Sequence, residues 1–299
     1  MAILYSARYI NIQDQHDPLS CLTKLFVPWF VRDRSCEFLN SKSSFYTDAS
    51  IDLGLNEALK ITEEKTIETL MDETAVKYIS TGSPITVSWS GGVDSTALVV
   101  ALLKNNIDPE QLTILCASSS LKEYPIFYKY LIDNKYRVIE SNEVNAQYNR
   151  IKQGYILTGW GADQLFGSNI HLKNSTLYHL PWQDAFRKYT KEQSIFIEKQ
   201  GECINLYEEW TKQRGFNITS WSEFTWYYNF MCKFTHVAEV TKLSIIDPEL
   251  RDKTISFFAT EDFQAYSIQH FNDINKVNVI ERKKFYKRPL KEYIYIFLY

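Results

Sequence analysis

A chain of 299 residues, 45% hydrophobic and 15% aromatic, can bury a substantial core. Its formal net charge of −3 excludes a highly charged disordered tail and gives no strong nucleic-acid signal. No run approaches the ~18 apolar residues of a membrane span, since "LFVPWFV" is short and broken by Pro28.

The cysteines, Cys21, Cys36, Cys116, Cys203 and Cys232, stand singly, with no CxxC and no histidine at zinc spacing. Structural zinc is therefore not expected. The odd count and the lack of a secretory leader pattern point to a reducing cytoplasm. The histidines form neither HExxH nor a nucleophile pair with a nearby Ser or Cys, and no role is assigned to them.

Residues 1–52 mix short aromatic and β-branched runs with Asp, Ser and Pro, which reads as a small N-terminal extension of strands and turns ahead of one larger domain over 53–299. From Leu53 to about Tyr78, the spacing of Leu55, Leu59, Ile67, Leu70, Met71 and Ala75 predicts a helix, stopped by Thr81, Gly82, Ser83 and Pro84. The chain then alternates. Strands are predicted at Ile85–Trp89, Leu112–Ala117, Arg137–Glu140 and Tyr155–Thr158, with helices from about Asp94 to Asn105 and Pro125 to Asn134. Such alternation implies βαβ crossovers and a mainly parallel sheet.

From Pro181 onward the pattern is mainly helical. In "IIDPELRDKTISFFA", Asp247 is placed to cap a helix and Pro248 to occupy its first position. The block "WSEFTWYYNFMCKF" reads either as core or as the wall of an acceptor pocket.

Two glycine turns stand out. In a parallel sheet, ligands bind beyond the carboxyl ends of the strands, where the turn Ser88–Asp94 falls. Gly91 and Gly92 let the backbone bend and approach a ligand. The amides of the helix start, with the Ser90 and Ser95 hydroxyls, form a cradle for an anion, most naturally phosphate. The run is neither GxxxxGK[ST] nor GxGxxG. Asp94 would be costly beside phosphates unless a cation lay between them, and Mg²⁺ held by one or two carboxylates plus phosphate oxygens is the usual solution.

"SGGVDST" resembles the signature of the PP-loop ATP pyrophosphatases, and "LTGWGADQLFGS" is similar to the G-E-G-x-D-E-L-F-G segment of their asparagine synthetase branch. "TKLSIIDPELRDKTISFFA" and the basic "YKRPLKEYI" resemble later stretches of that branch. The resemblance implies a five-stranded parallel sheet of the adenine nucleotide α-hydrolase type, flanked by helices, with a mainly helical C-terminal part. It also implies cleavage of ATP between the α and β phosphates, adenylation of a substrate, and release of pyrophosphate.

On that reading Ser88, Ser90, Gly91, Gly92, Asp94, Ser95, Gly159 and Gly161 bind nucleotide, Leu115, Cys116 and Ala117 lie against adenine, and Asp94 and Asp163 share Mg²⁺. Lys287, Lys284 or Lys283 contacts pyrophosphate. ATP and Mg²⁺ are the expected cofactors, and the acceptor is a small molecule or a nucleobase.

The departures are specific. Trp160 stands where the branch has an acid between two glycines, and Gln164 where it has a second acid after the metal Asp. Ala2 stands where the branch's glutaminase has its nucleophilic cysteine, so ammonia or an amine is expected from solution or from a partner. Three functions stay open: an AMP-forming ligase, a PP-loop enzyme modifying a nucleobase or tRNA, and a nucleotide-binding module without turnover.

Overall fold

Five parallel strands in the order β3-β2-β1-β4-β5 form the centre of the computed structural model. Residues 55–143, 147–148, 150–151, 153–167, 176–192, 200–213, 215–239, 245, 247–270 and 287–299 are described. Gly54–Phe166, Val237–Gln269 and Lys287–Tyr299 belong to one compact unit that contains the sheet, and Gly167–His236 falls in a second. The expected N-terminal extension, residues 1–52, lies outside the described residues.

The helix expected from Leu53 to Tyr78 is two helices, α1 (Leu55–Ala58) and α2 (Ile67–Ile79). Thr66 interrupts the stripe because its hydroxyl accepts from the Thr69 amide at 3.1 Å, capping a new helix rather than continuing an old one. Next come β1 (Ile85–Trp89), α3 (Val93–Lys104), β2 (Leu112–Cys116), α4 (Ser118–Glu123), α5 (Pro125–Asp133), β3 (Arg137–Glu140), β4 (Tyr155–Thr158) and α6 (Ala162–Phe166). Ser95 to Leu103 of α3 are all buried, so this helix is apolar on every side, as a helix enclosed between a sheet and other helices must be.

In the second unit, α7 (Trp182–Glu192), α8 (Gln200–Gln213) and α9 (Trp221–Tyr228) pack together through aromatic rings. Trp182 stacks on Phe224 with centroids 4.7 Å apart, and Tyr207 meets Phe224 edge-on at 4.9 Å. Glu223 and Ser220 form a reciprocal capping box at the start of α9. One π-helical stretch, Asn229–Lys233, separates α9 from α10 (Phe234–Glu239). Trp221, Phe224, Trp226, Tyr227, Tyr228, Phe230 and Phe234 are all buried. The aromatic block therefore packs as core, the first of the two readings that its sequence allows.

The remaining elements return to the sheet unit: α11 (Pro248–Asp252), β5 (Thr254–Ser256), α12 (Glu261–Gln269) and α13 (Arg288–Leu298). Asp247 accepts from the Glu249 amide at 2.9 Å, as its placement before Pro248 predicts. The helix it starts lasts five residues, and Thr254–Ser256 pairs with β4 as the fifth strand instead of continuing it. Among the described residues, no helix is long and apolar enough to cross a membrane.

Register separates the two faces of the sheet. Val87, Ile114 and Leu157 lie across from one another and share one face. Leu115, Ile139 and Ile156 lie on the other, in a cluster with Tyr148, Ile245 and Leu250. On this second face the last level of the sheet is a row of hydroxyls, Ser88, Thr158 and Ser256. Tyr148 donates to Ser88 Oγ at 2.7 Å, and Thr158 Oγ1 is buried with no hydrogen-bond partner.

Helix α13 packs on α3 and α2, and a polar knot fastens the three. Asp72 on α2 accepts from the Tyr293 hydroxyl, from Lys104 Nζ at 2.9 Å and from Asn105 Nδ2 at 3.1 Å. Burial alone would raise the Asp72 pKa, but these donors outweigh it and hold the carboxyl below its usual 3.8. Asp72→Asn is expected to cost about 1–2 kcal/mol of stability at neutral pH. Because the folded pKa is depressed, this contribution is complete above the unfolded value and disappears as the pH falls through the lower folded value. Urea unfolding of both proteins at pH 7 and at low pH checks it, with the difference expected only at pH 7.

Candidate active site

The strand order places β1 at a topological switch point: β2 lies on one side of it and β4 on the other. The loops that leave the carboxyl ends of β1 and β4 therefore border a crevice. They are the two glycine turns.

The first turn closes on its own hydroxyls. Ser95 Oγ accepts from the Ser90 amide at 3.0 Å and lies 3.0 Å from Ser90 Oγ, which accepts from the Gly92 amide at 3.3 Å. Gly91 has φ +83°, and a Cβ there would come within 2.4 Å of the Ser120 carbonyl oxygen. Conformation and space both require glycine. Gly92 is the N-cap of α3 and brings no side chain to its first turn, which leaves backbone amides directed at whatever occupies the loop.

The second turn rests on the first. A Cβ on Gly159 would lie 2.7 Å from the Ser95 amide nitrogen, and this close approach sets Gly159–Gly161 against the start of α3. Gly161 takes φ +91°, and Asp163 follows in the opening turn of α6. The Trp160 carbonyl accepts from Ser256 Oγ at 2.5 Å, whereas the residue is 49% exposed.

Asp94, Asp163 and Lys287 meet here. Lys287 Nζ is 2.6 Å from Asp94 Oδ2 and 2.6 Å from Asp163 Oδ1. Lys287 is the N-cap of α13, in the left-handed region with φ +53°. Its amide donates to the Phe166 carbonyl at 3.3 Å, which fixes the start of α13 to the end of α6. The lysine side chain is buried, while that of Asp163 is 44% exposed. Burial raises the Asp94 pKa to about 6, with Lys287 opposing and Asp163 reinforcing the rise. Burial works against the Lys287 charge, but the two carboxylates outweigh it and raise its pKa above 10.5.

Asp94 Oδ1 is buried and has no hydrogen-bond partner, an arrangement that is costly unless something else engages it. Two carboxylates converging on one cation, with an unfilled buried oxygen beside them, suit a hard divalent ion such as Mg²⁺. Among the described residues no three His, Cys, Asp or Glu side chains gather into a metal set. An ion at Asp94 and Asp163 would take its other ligands from substrate oxygens and water.

Leu115, Cys116 and Ala117 stand at the end of β2, beside β1, with Cys116 opposite Trp89. Their polar backbone is partly engaged: the Ala117 amide donates to Ser120 Oγ at 3.3 Å, and the Cys116 carbonyl accepts from Ser141. Burial, with Glu140 adding, raises the Cys116 thiol pKa to about 11, which keeps it protonated and unreactive at neutral pH. Lys283 and Lys284 lie outside the described residues.

Two further residues neighbour the site: Lys291, to which the sequence reading assigns no role, and Gln164, read from the sequence as a departure at the second acid. Lys291 lies one turn beyond Lys287, and its pKa is lowered first by burial and then by the Lys287 charge. Gln164 is buried next to Asp163, with its Oε1 unpartnered. The i, i+4 spacing of Lys287 and Lys291 was the available signal for the first. Comparison with protein-family models, curated proteins and solved structures finds no match to this chain.

Proposed function

We propose that the chain is an ATP-dependent, AMP-forming ligase of the PP-loop type, similar to the synthetase domain of asparagine synthetases. It would adenylate a substrate, most naturally a carboxylate, and pass the acyl group to a nitrogen nucleophile. One observation supports this above the others: Asp94, Asp163 and Lys287 converge beside a glycine loop with free helix-start amides, at the switch point of a parallel sheet. This is an arrangement for a polyphosphate and its counter-ion.

In this reading the Ser90–Ser95 loop binds the pyrophosphate portion through amides and hydroxyls, and Asp94 and Asp163 hold Mg²⁺. The ion would supply charge neutralisation for the leaving pyrophosphate. Lys287 adds a fixed positive charge for the same leaving group. Trp160 stands where an acid could accept a proton from an incoming amine, and an indole nitrogen only donates. The acceptor step therefore differs from attack of ammonia on an aspartyl adenylate. The half-exposed indole offers a flat surface for a planar acceptor.

A nucleotide-binding module without turnover is the second reading, favoured by that same Trp160. The two separate by product. ATP labelled in the α-phosphate, incubated with Mg²⁺ and mixed carboxylic and nucleobase acceptors, is expected to yield labelled AMP and an equal amount of pyrophosphate. Formation of ADP would refute the ligase, and tight binding with no product would establish the module. Asparagine formed from aspartate would refute the reading of Trp160.

A further inference from the structure

We infer that the Lys287 ammonium is the resident cation of the Asp94–Asp163 pair, and that the pair accepts a divalent ion only together with a polyphosphate that draws the ammonium away. The order of binding rests on the proposed nucleotide site, whereas the residence of the lysine rests on geometry alone.

The ammonium lies 2.6 Å from an oxygen of each carboxylate, with its side chain 8% exposed. A hard divalent ion needs those carboxylates at about 2.0–2.1 Å, which would place it almost where Nζ now sits. Two cations cannot share that position, so metal entry requires the lysine to leave. In the protein alone it has little to leave for. Lys291, one turn further along α13, adds like charge nearby and has its own pKa lowered in part by Lys287.

The carboxylates hold the ammonium against two unfavourable local features. Lys287 has φ +53°, a conformation that side chains other than Gly and Asn seldom adopt. It also places a cation at the N-terminus of the 11-residue α13, the end at which the helix dipole disfavours positive charge. A polyphosphate reverses the balance, because it brings oxygens that can pair with the ammonium while the metal takes the carboxylates. Asp94 Oδ1, which the lysine leaves unpartnered, is then available to the metal.

The test is Mn²⁺ binding to the full chain, read without ATP by the electron paramagnetic resonance signal of free Mn²⁺ and, with ATP, by the Mn²⁺ retained with the protein on equilibrium dialysis, since ATP itself binds the ion. Wild type without nucleotide is expected to bind Mn²⁺ at the level of Asp94→Asn, which lacks one carboxylate. Lys287→Met keeps the length of the side chain and removes its charge, and it is expected to bind Mn²⁺ without nucleotide at least about tenfold more tightly than wild type.

Lys287→Gln is measured alongside, with circular dichroism of each variant, so that a misfolded Met variant does not decide the matter. If neither folded variant gains Mn²⁺ affinity over wild type, or if wild type alone binds as tightly as they do, the lysine is not the resident cation. ATP tests the other reading separately. Gain of Mn²⁺ by Lys287→Met with no effect of ATP on wild type would uphold the resident lysine and overturn the nucleotide site.

Discussion

Asp94→Asn is expected to lower ATP-dependent pyrophosphate release by at least about a thousandfold, the scale of losing a charge that organises a metal and a transferring phosphate. The substitution is close to isosteric and keeps Asp94 Oδ1 as a neutral acceptor, so the fold should persist. It removes the charge that holds Lys287 Nζ at 2.6 Å and the charge a divalent ion would need. It also leaves the buried Lys287 ammonium with Asp163 as its remaining carboxylate, so thermal unfolding should shift downward while the chain still folds. Loss of turnover in a variant that still unfolds cooperatively, at a somewhat lower melting temperature, is the expected pair of results, measured by pyrophosphate detection and calorimetry. Full activity in the variant would remove Asp94 from the chemistry.

Gly159→Ala should be nearly as damaging, for steric reasons. The added methyl would sit 2.7 Å from the Ser95 amide nitrogen and 3.0 Å from the Asp94 carbonyl carbon. Both contacts are backbone, so no flexible side chain can yield. The two turns must move apart, and with them the carboxylates of Asp94 and Asp163. Overpacking of this kind costs roughly 1–3 kcal/mol, and a misplacement of about 1 Å costs on the order of 100-fold in rate. Gly201→Ala is the control. It lies in α8 with nothing within 4 Å of the new methyl, and it should keep activity and gain up to about 1 kcal/mol of stability. If Gly159→Ala also keeps its activity, the packing of the second turn on the first has no part in function.

Four of the five strands are legible because each is a β-branched run bounded by turn residues, and the parallel arrangement follows from the helices between them. Thr254–Ser256 is not legible: three residues give no period, and they follow a capped helix start that suggests continuation. The break before Ile67 is a similar case, since Thr66 ends one apolar stripe only by virtue of the hydrogen bond it makes as a cap. The first glycine loop can be read from its spacing alone, because both glycines and Asp94 lie in one local segment. That Lys287 is the lysine facing the carboxylates is a tertiary fact, since Lys283, Lys284 and Lys287 share one basic run. The aromatic block was ambiguous for the same reason. Burial of Phe224 against Trp182 and Tyr207, and of Trp221 against Tyr189, depends on segments outside it.

Asp94 meets Lys287 across 193 positions of chain. Contacts of such long range form only after the loop between them has been closed, at an entropic cost that nearer contacts do not bear. Strands β1, β2 and β3 and the helices between them pair within about 60 residues of one another, so the glycine loop can take shape while the carboxylates still lack their cation. Electrostatic completion of the crevice is therefore expected late in folding. A chain whose C-terminal helix has come loose would keep most of its sheet and lose the site first. Hydrogen exchange should show this directly, with the amides of α13 opening at lower free energy than those of β1.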